Sequence, residues 1–491
     1  MITRFAIVAI LASISCLLPV ELSIQNAVAR TALWLGLLAV CMMNNWIWKV
    51  GPSQWFILMQ FISYGTWSAF YLVGFYFFRY TAYYSSVVLR DAELNAFQVD
   101  TGIFLFTCIA WSMVQLFGPK MPSISIEDKD GKQSFQPNTD PGTLIALLVL
   151  GVIGALALLL FQMVPSILSQ PIRLLGMFFF SSVAMMALIS NPDEPVFLRF
   201  RWPLGLTLVF GVLAFAGSGL KQMIFVTLLH LIWFTSSIFP KYRKHAFVAS
   251  SALMIAFILL LPVFQNAKEA FLKSGSAQET FGVLFKGLAE YSESRNSLDD
   301  QEPTNMASMW RYLGTRVCLA VLPQIYHRNY KDYPQGYETF RVSLGSLVPR
   351  FLDPDKESID EYFNNLARES GIGNKADRKT SRKPAFIDES IIVWGTAGFY
   401  FGGLLFGVYL VLLERMLAFL ARNPTEHVIV RFATLTLGQL PYSGVLIVAL
   451  VYNMPFIGLV LLPTLRQVID PNSKLVKFLS KRGARRRRLA T

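Results

Sequence analysis

The sequence predicts an all-α polytopic membrane protein of about twelve transmembrane helices, and three observations carry that expectation. Of the 491 residues, 54% are hydrophobic, and the mean hydropathy is +0.46. Only 15% are charged, whereas a soluble chain carries about a quarter charged residues. Apolar runs of roughly 20 residues, the length that crosses about 30 Å of hydrocarbon, recur along the chain.

Twelve runs qualify: 2–20, 28–47, 53–78, 100–118, 141–164, 170–190, 203–219, 222–239, 246–264, 386–413, 428–443 and 445–464. The close pairs at Gly217–Gln222 and Pro441–Gly444 read either as links between two spans or as kinks. Lysines and arginines in short links set the orientation. Lys241, Arg243 and Lys244 mark the link after the eighth span as cytoplasmic; Arg199 and Arg201 mark the link before the seventh, and Arg415 and Arg422 the link after the tenth. An even span count puts the N-terminus and the basic tail on that same side, and all the markers agree. The chain then divides into a nine-span bundle (1–264), a large exterior loop or cap (265–385), C-terminal membrane helices (386–465) and a basic tail (466–491).

The net charge of +13 is unevenly spread. Lys474, Lys477, Lys481, Arg482 and Arg485 to Arg488 give the tail eight bases and no acid over 471–491, which suits anionic lipid. So many spans exclude a nucleic-acid enzyme. Arg4, the apolar run after it and Ala27-Val28-Ala29 read either as a signal peptide with its cleavage site or as a retained anchor. Arg30 starts outside in both cases. Cys16, Cys41 and Cys108 fall in or near spans and Cys318 in the long loop, so no exterior disulfide framework is expected. His230, His245, His327 and His427 are too scattered for a metal site, and neither metal nor cofactor is expected.

Two exterior links are long enough for chemistry, 79–99 and 265–385. The second holds 17 basic and 16 acidic residues, yet its stretch 311–350 is locally basic, with Arg311, Arg316, Arg328, Lys331, Arg341 and Arg350 against Asp332 and Glu338. Trp310, Tyr312, Tyr326, Tyr330, Tyr333, Tyr337 and Phe340 interleave with those bases. Guanidinium forks grip phosphate, and aromatic faces stack on sugar rings, so the pattern suits a ligand that is part phosphate and part sugar. It also fits a solvated basic face with aromatics at the lipid headgroups.

Within this stretch, Pro349 and Pro354 stiffen a turn that presents Arg350 and Lys356. Asp353-x-Asp355 has the spacing of a metal-binding pair, and equally that of a turn whose acids neutralise Lys356; Asp91-x-Glu93 in the smaller loop echoes it. The tenth span opens with Asp388-Glu389, followed by Trp394-Gly-Thr-Ala-Gly398-Phe-Tyr400-Phe-Gly402-Gly403. Carboxylates where a loop re-enters the membrane are expensive unless paired or working, and general-base duty is one such task; the helix dipole favours acids there in any case. Gly398, Gly402 and Gly403 have the spacing of close helix packing. Gly217-Ser218-Gly219-Leu220-Lys221 opens the eighth span, where free N–H groups and the Lys221 ammonium form an anion site or Lys221 snorkels. Arg431 lies near the cytoplasmic end of the eleventh span and is expected to snorkel; no relay of buried acids is expected within the membrane.

Leu347-Val-Pro-Arg-Phe-Leu-x-Pro-Asp-Lys356, the acid before the Gly/aromatic span (Glu389–Gly403), the Gly-Ser-x-x-Lys start of the eighth span and the late exterior loop together resemble the bacterial oligosaccharide repeat-unit (Wzy-type O-antigen and exopolysaccharide) polymerases. Lys221 stands where that family usually has Arg, and the Arg-x10-Gly motif of some members is absent. The resemblance implies a GT-C-like, metal-independent membrane glycosyltransferase of the bacterial inner membrane with both termini cytoplasmic. It would extend a glycan on undecaprenyl pyrophosphate at the periplasmic face, in contact with membrane lipids and with a chain-length regulator as a partner. It implies Glu389 or Asp388 as base, with His327 in reserve, and Arg350, Arg341, Arg311, Arg316 and Lys221 as the phosphate set, with Lys356 and Tyr337 binding substrate. A glycan ligase shares this chemistry. A transporter of polysaccharide or lipid-linked glycan is the alternative of a different class, and it calls for titratable groups within the membrane.

Overall fold

The structure, a computed structural model, describes residues 2–21, 23–49, 51–66, 68, 95–120, 141–160, 172, 174–189, 201–210, short pieces between 228 and 253, 321–345, 347–348, 359–370, 384–434, 446–447 and 449–470. The described residues are mostly helical and contain no strand. In chain order the helices used below are α1 (Ile2–Leu17), α2 (Ile24–Met42), α3 (Pro52–Gln60), α4 (Ala96–Phe117), α5 (Pro141–Leu160), α6 (Met177–Ile189), α7 (Val321–Tyr330), α8 (Glu338–Gly345), α9 (Ile359–Glu369), α10 (Phe386–Trp394), α11 (Gly398–Leu420), α12 (Pro424–Ala433), α13 (Met454–Phe456) and α14 (Leu462–Ile469). Four described stretches are long and apolar enough to cross a membrane: Ile24–Met42, Ala96–Phe117, Gly142–Leu160 and Phe386–Leu420. Thr3–Leu17 and Met177–Leu188 are shorter apolar helices. The expected span 222–239 is only sparsely described, and the expected spans 53–78, 203–219, 246–264 and 428–443 run out of the described residues.

Side-chain pairings give each helix a direction. α2 and α4 run parallel, since Arg30 meets Asp100 and Trp34 meets Phe104. α1 runs against both: Leu11 faces Gly36 on α2, and Phe5 packs on Trp111. α3 starts at Pro52, with Ser53 N–H on the Glu414 carboxylate, and runs up against α11 with Phe56 and Phe406 rings 4.6 Å apart. Its last turn widens into a π-turn, Phe61–Gly65, and Gly65 lies so close to Trp34 that a Cβ would sit 2.7 Å from the indole. α4 and α11 are parallel: Phe399 faces Gly102, Gly407 sits on Met113 and Arg415 donates to the Phe117 carbonyl at 3.1 and 3.0 Å. The small faces of Gly402, Gly403 and Gly407 are what let these two helices meet. Near the C-terminus the helix from Ala449 to Ile469 carries two π-turns, each beside a proline (Pro455, Pro463) that lacks the N–H for regular pairing.

One expected element is corrected. The run from 386 to 413 is not a single crossing helix. A collinear helix would put Phe386 and Phe406 about 30 Å apart, whereas their rings are 5.6 Å apart, and Ser390 packs against Gly398 and Gly402. α10 therefore folds back along α11. The reversal falls at Gly395, whose φ of 60° is left-handed and whose missing Cβ would lie 2.6 Å from the Lys331 carbonyl. Only glycine meets both demands. Arg431 is also corrected: it does not snorkel but is fully buried, with Nη1 donating to the Lys49 carbonyl at 2.6 Å.

Candidate functional site

The folded-back arm decides where the acids go. α10 is nine residues long and reaches about 13 Å below the Gly395 turn. Asp388 and Glu389 lie near its deep end and are completely buried. Two residues before Asp388, Phe386 packs on Phe106, in the middle of α4, at 6.5 Å. The sequence places these carboxylates at the mouth of a span; the structure places them inside the bundle. Asp388 Oδ2 accepts the Ala385 N–H at 2.7 Å, which closes the helix start. Asp388 Oδ1 has no hydrogen-bond partner among the described residues. Glu389 Oε1 accepts from the Ser343 hydroxyl at 3.3 Å.

Two helices of the 265–385 stretch form the rest of the site. α7 packs on α10 and α4, and α8 packs on α10 and α9. The turn between them is held by Gln335 N–H on the Ile392 carbonyl at 2.9 Å. From there α8 descends antiparallel to α10, with Phe340 against Trp394 near the turn and Ser343 at Glu389. Thr339, one helical turn before Ser343, is buried on the same face. α7 contributes Gln324 and His327, both buried. His327 Nε2 lies 3.1 Å from Thr396 Oγ1, and its ring packs 5.8 Å from Phe399. Burial, aided by the nearby Lys331 ammonium and opposed by Asp332, pushes the His327 pKa down to about 4, so the ring is neutral at physiological pH. Gln324 Oε1, Thr339 Oγ1 and His327 Nδ1 have no hydrogen-bond partner among the described residues.

The Gly395 end of α10 is aromatic. Trp394 contacts Tyr337, Phe340 and Phe401 with ring centroids 6.5, 5.3 and 6.0 Å away. Tyr337 is 70% exposed. Arg341 stands beside it on the surface, its guanidinium forked onto Glu338 one turn back; that bond holds the Glu338 carboxyl below its usual range. Of the residues expected from sequence, the structure places the substrate-binding candidates Arg341 and Tyr337 together near the Gly395 turn and the catalytic candidates Asp388 and Glu389 together at the far end of α10. Arg350, Arg311, Arg316, Lys221 and Lys356 lie outside the described residues.

Sequence reasoning missed Ser343 and Thr339, which a polar, i,i+4 stripe on an otherwise mixed helix could have signalled. It also missed buried acids within the crossing helices. Asp100 on α4 takes Arg30 Nη1 at 3.4 Å and Trp34 Nε1 at 3.1 Å, and Arg30 also donates to Thr101 Oγ1 at 2.6 Å and to the Pro19 carbonyl at 3.2 Å. Glu414 on α11 is buried at the other end of the bundle. There Glu426 also receives a two-pronged Arg466 fork at 2.8 and 2.9 Å, which pulls its pKa down.

The family described as Domain of unknown function (DUF8712) matches residues 57–420, and the chain belongs to that family. No curated protein and no solved structure matches the chain.

Proposed function

We propose that the protein is a membrane-embedded polysaccharide polymerase. It joins oligosaccharide repeat units carried on undecaprenyl pyrophosphate at the periplasmic face of the bacterial inner membrane. In this reading the fold is a GT-C-like bundle of about twelve spans with both termini cytoplasmic and 265–385 on the periplasmic side. The parallel packing of α4 and α11 supports that topology, because it requires an odd number of crossings between them and the sequence supplies five.

The observation that carries the reading is the buried carboxylate pair Asp388–Glu389, with Ser343 on Glu389 and an aromatic cluster around Trp394 at the other end of the arm. Ionisable groups inside a membrane bundle are expensive and mark function. Asp388 Oδ1 takes the proton of the acceptor hydroxyl as its oxygen attacks the anomeric carbon. The bond from that carbon to pyrophosphate breaks, and the leaving charge is neutralised by Arg350, Arg311, Arg316, Lys221 and Lys356 without metal. Tyr337, Trp394 and Arg341 receive the sugar and phosphate parts at the Gly395 end of the arm. Glu389, held by Ser343, is the second carboxylate of the pair.

A transporter of lipid-linked glycan is the second reading, and the depth of Asp388 and Glu389 favours it, since intramembrane acids also serve proton relays. A ligase shares the chemistry of the first. In-gel glycan profiles of a deletion strain complemented with wild-type or Asp388→Asn protein test the proposal. Loss of long chains in the variant at normal protein level is expected; long chains retained on the lipid carrier contradict it and point to a ligase.

A further inference from the structure

Tyr64 is a large polar side chain that the packing carries inward. It lies on the π-turn of α3, completely buried, and its hydroxyl has no hydrogen-bond partner among the described residues. The π-turn is closely packed: Gly65 is pressed on Trp34, and Gln60, one turn earlier, meets Thr107 on α4 with 3.5 Å between their side-chain oxygens. π-turns widen a helix locally and recur where a side chain must be aimed out of register. α3 and α10 converge on the same rings, Phe56 and Phe386 both packing on Phe106 and Phe406. Asp388 is the charged group that bears electrostatically on the Tyr64 phenol. Each ends in a buried oxygen that lacks a partner among the described residues, and buried polar atoms of that kind are satisfied by one another or by an ordered water.

We propose that Tyr64 is a positioning residue for Asp388, its hydroxyl linked to Asp388 Oδ1 across one bound water. The inference deepens the proposed function, resting on the same carboxylate. A donor on Oδ1 favours the ionised form and fixes the direction from which the carboxylate receives a proton. Around the arm, the ionisable groups include Glu389 from α10 and His327 from α7, and the hydroxyls include Ser343 and Thr339 from α8, Ser390 from α10 and Thr396 from the turn.

The test reads the carboxylate without any polymerase assay, so its failure and that of the enzymatic reading are separable. Dicyclohexylcarbodiimide modifies protonated carboxyls in apolar surroundings. The full-length protein in lipid nanodiscs is labelled as a function of pH, and the adduct on Asp388 is quantified by peptide mass spectrometry. Tyr64→Phe should raise the labelling midpoint by about one pH unit, a tenfold change in protonation. Site-specific 3,5-difluorotyrosine at position 64, a stronger donor that preserves the ring, should lower it. A purely structural tyrosine would shift neither. Unchanged midpoints in both proteins, or labelling of Asp388 at no pH, overturn the proposal.

Discussion

Two buried aspartates in this bundle meet opposite fates. Asp100 has both carboxylate oxygens bonded, one to the Arg30 guanidinium and one to the Trp34 indole, and Arg30 is itself tied to Thr101 and to the Pro19 carbonyl. That cluster joins α1, α2 and α4 and leaves the carboxylate nothing to do but hold them. Asp388 is as deeply buried, yet its Oδ2 accepts from the start of its own helix, and Oδ1 has no partner among the described residues. Burying a charge with its counter-ion makes architecture; burying one without it is an expense that chemistry explains.

The comparison is open to direct attack. Asp388→Asn should lower chain extension by about 10²- to 10⁴-fold, the usual contribution of a general base, while leaving the folded protein at least as stable in a thermal-unfolding assay. Arg30→Met should show the reverse. It strands Asp100 as an uncompensated buried charge and should destabilise the bundle by about 3–5 kcal/mol, with activity per folded molecule retained. Equal behaviour of the two variants would erase the distinction between them. Gly395→Ala tests the fold-back that carries Asp388 inward. Its φ of 60° and the Lys331 carbonyl both oppose a Cβ, so a loss of about 1–3 kcal/mol and of extension is expected. Ser343→Ala removes one hydrogen bond to Glu389 and should cost about 1 kcal/mol and a few-fold in rate.

His327 gives a test by pH. Its folded pKa lies near 4, below the 6.5 of an unfolded histidine. The unfolded chain then binds the proton first, so this contribution to stability is complete above pH 6.5 and is lost as pH falls through about 4. Melting temperature measured from pH 7.5 to 4 should fall, and His327→Gln should flatten that part of the slope.

How far the sequence reaches is visible at particular residues. Apolar runs expose the crossing helices, because the bilayer demands them, and the Gly402 and Gly403 spacing already reads as helix contact. The fold-back at Gly395 was hidden. Trp394-Gly395-Thr396 interrupts a run from 386 that is apolar apart from Asp388-Glu389-Ser390, and periodicity cannot tell a crossing helix from two arms packed together. Asp388 and Glu389 were found as residues but not as depth. Arg30 read as the outer start of a span because its partner Asp100 is 70 residues away. Ser343 and Tyr64 owe their meaning to α10, which neither neighbours in sequence. Long-range pairing creates such sites, and local pattern does not record it.

The most direct measurement uses purified protein reconstituted in lipid with undecaprenyl-pyrophosphate-linked repeat units as the only substrate. The account predicts a ladder of extended glycans from wild-type protein and none from Asp388→Asn, with pyrophosphate-linked carrier released at each step. Absence of chain growth by the wild type, together with movement of the lipid-linked units across the vesicle membrane, would contradict it.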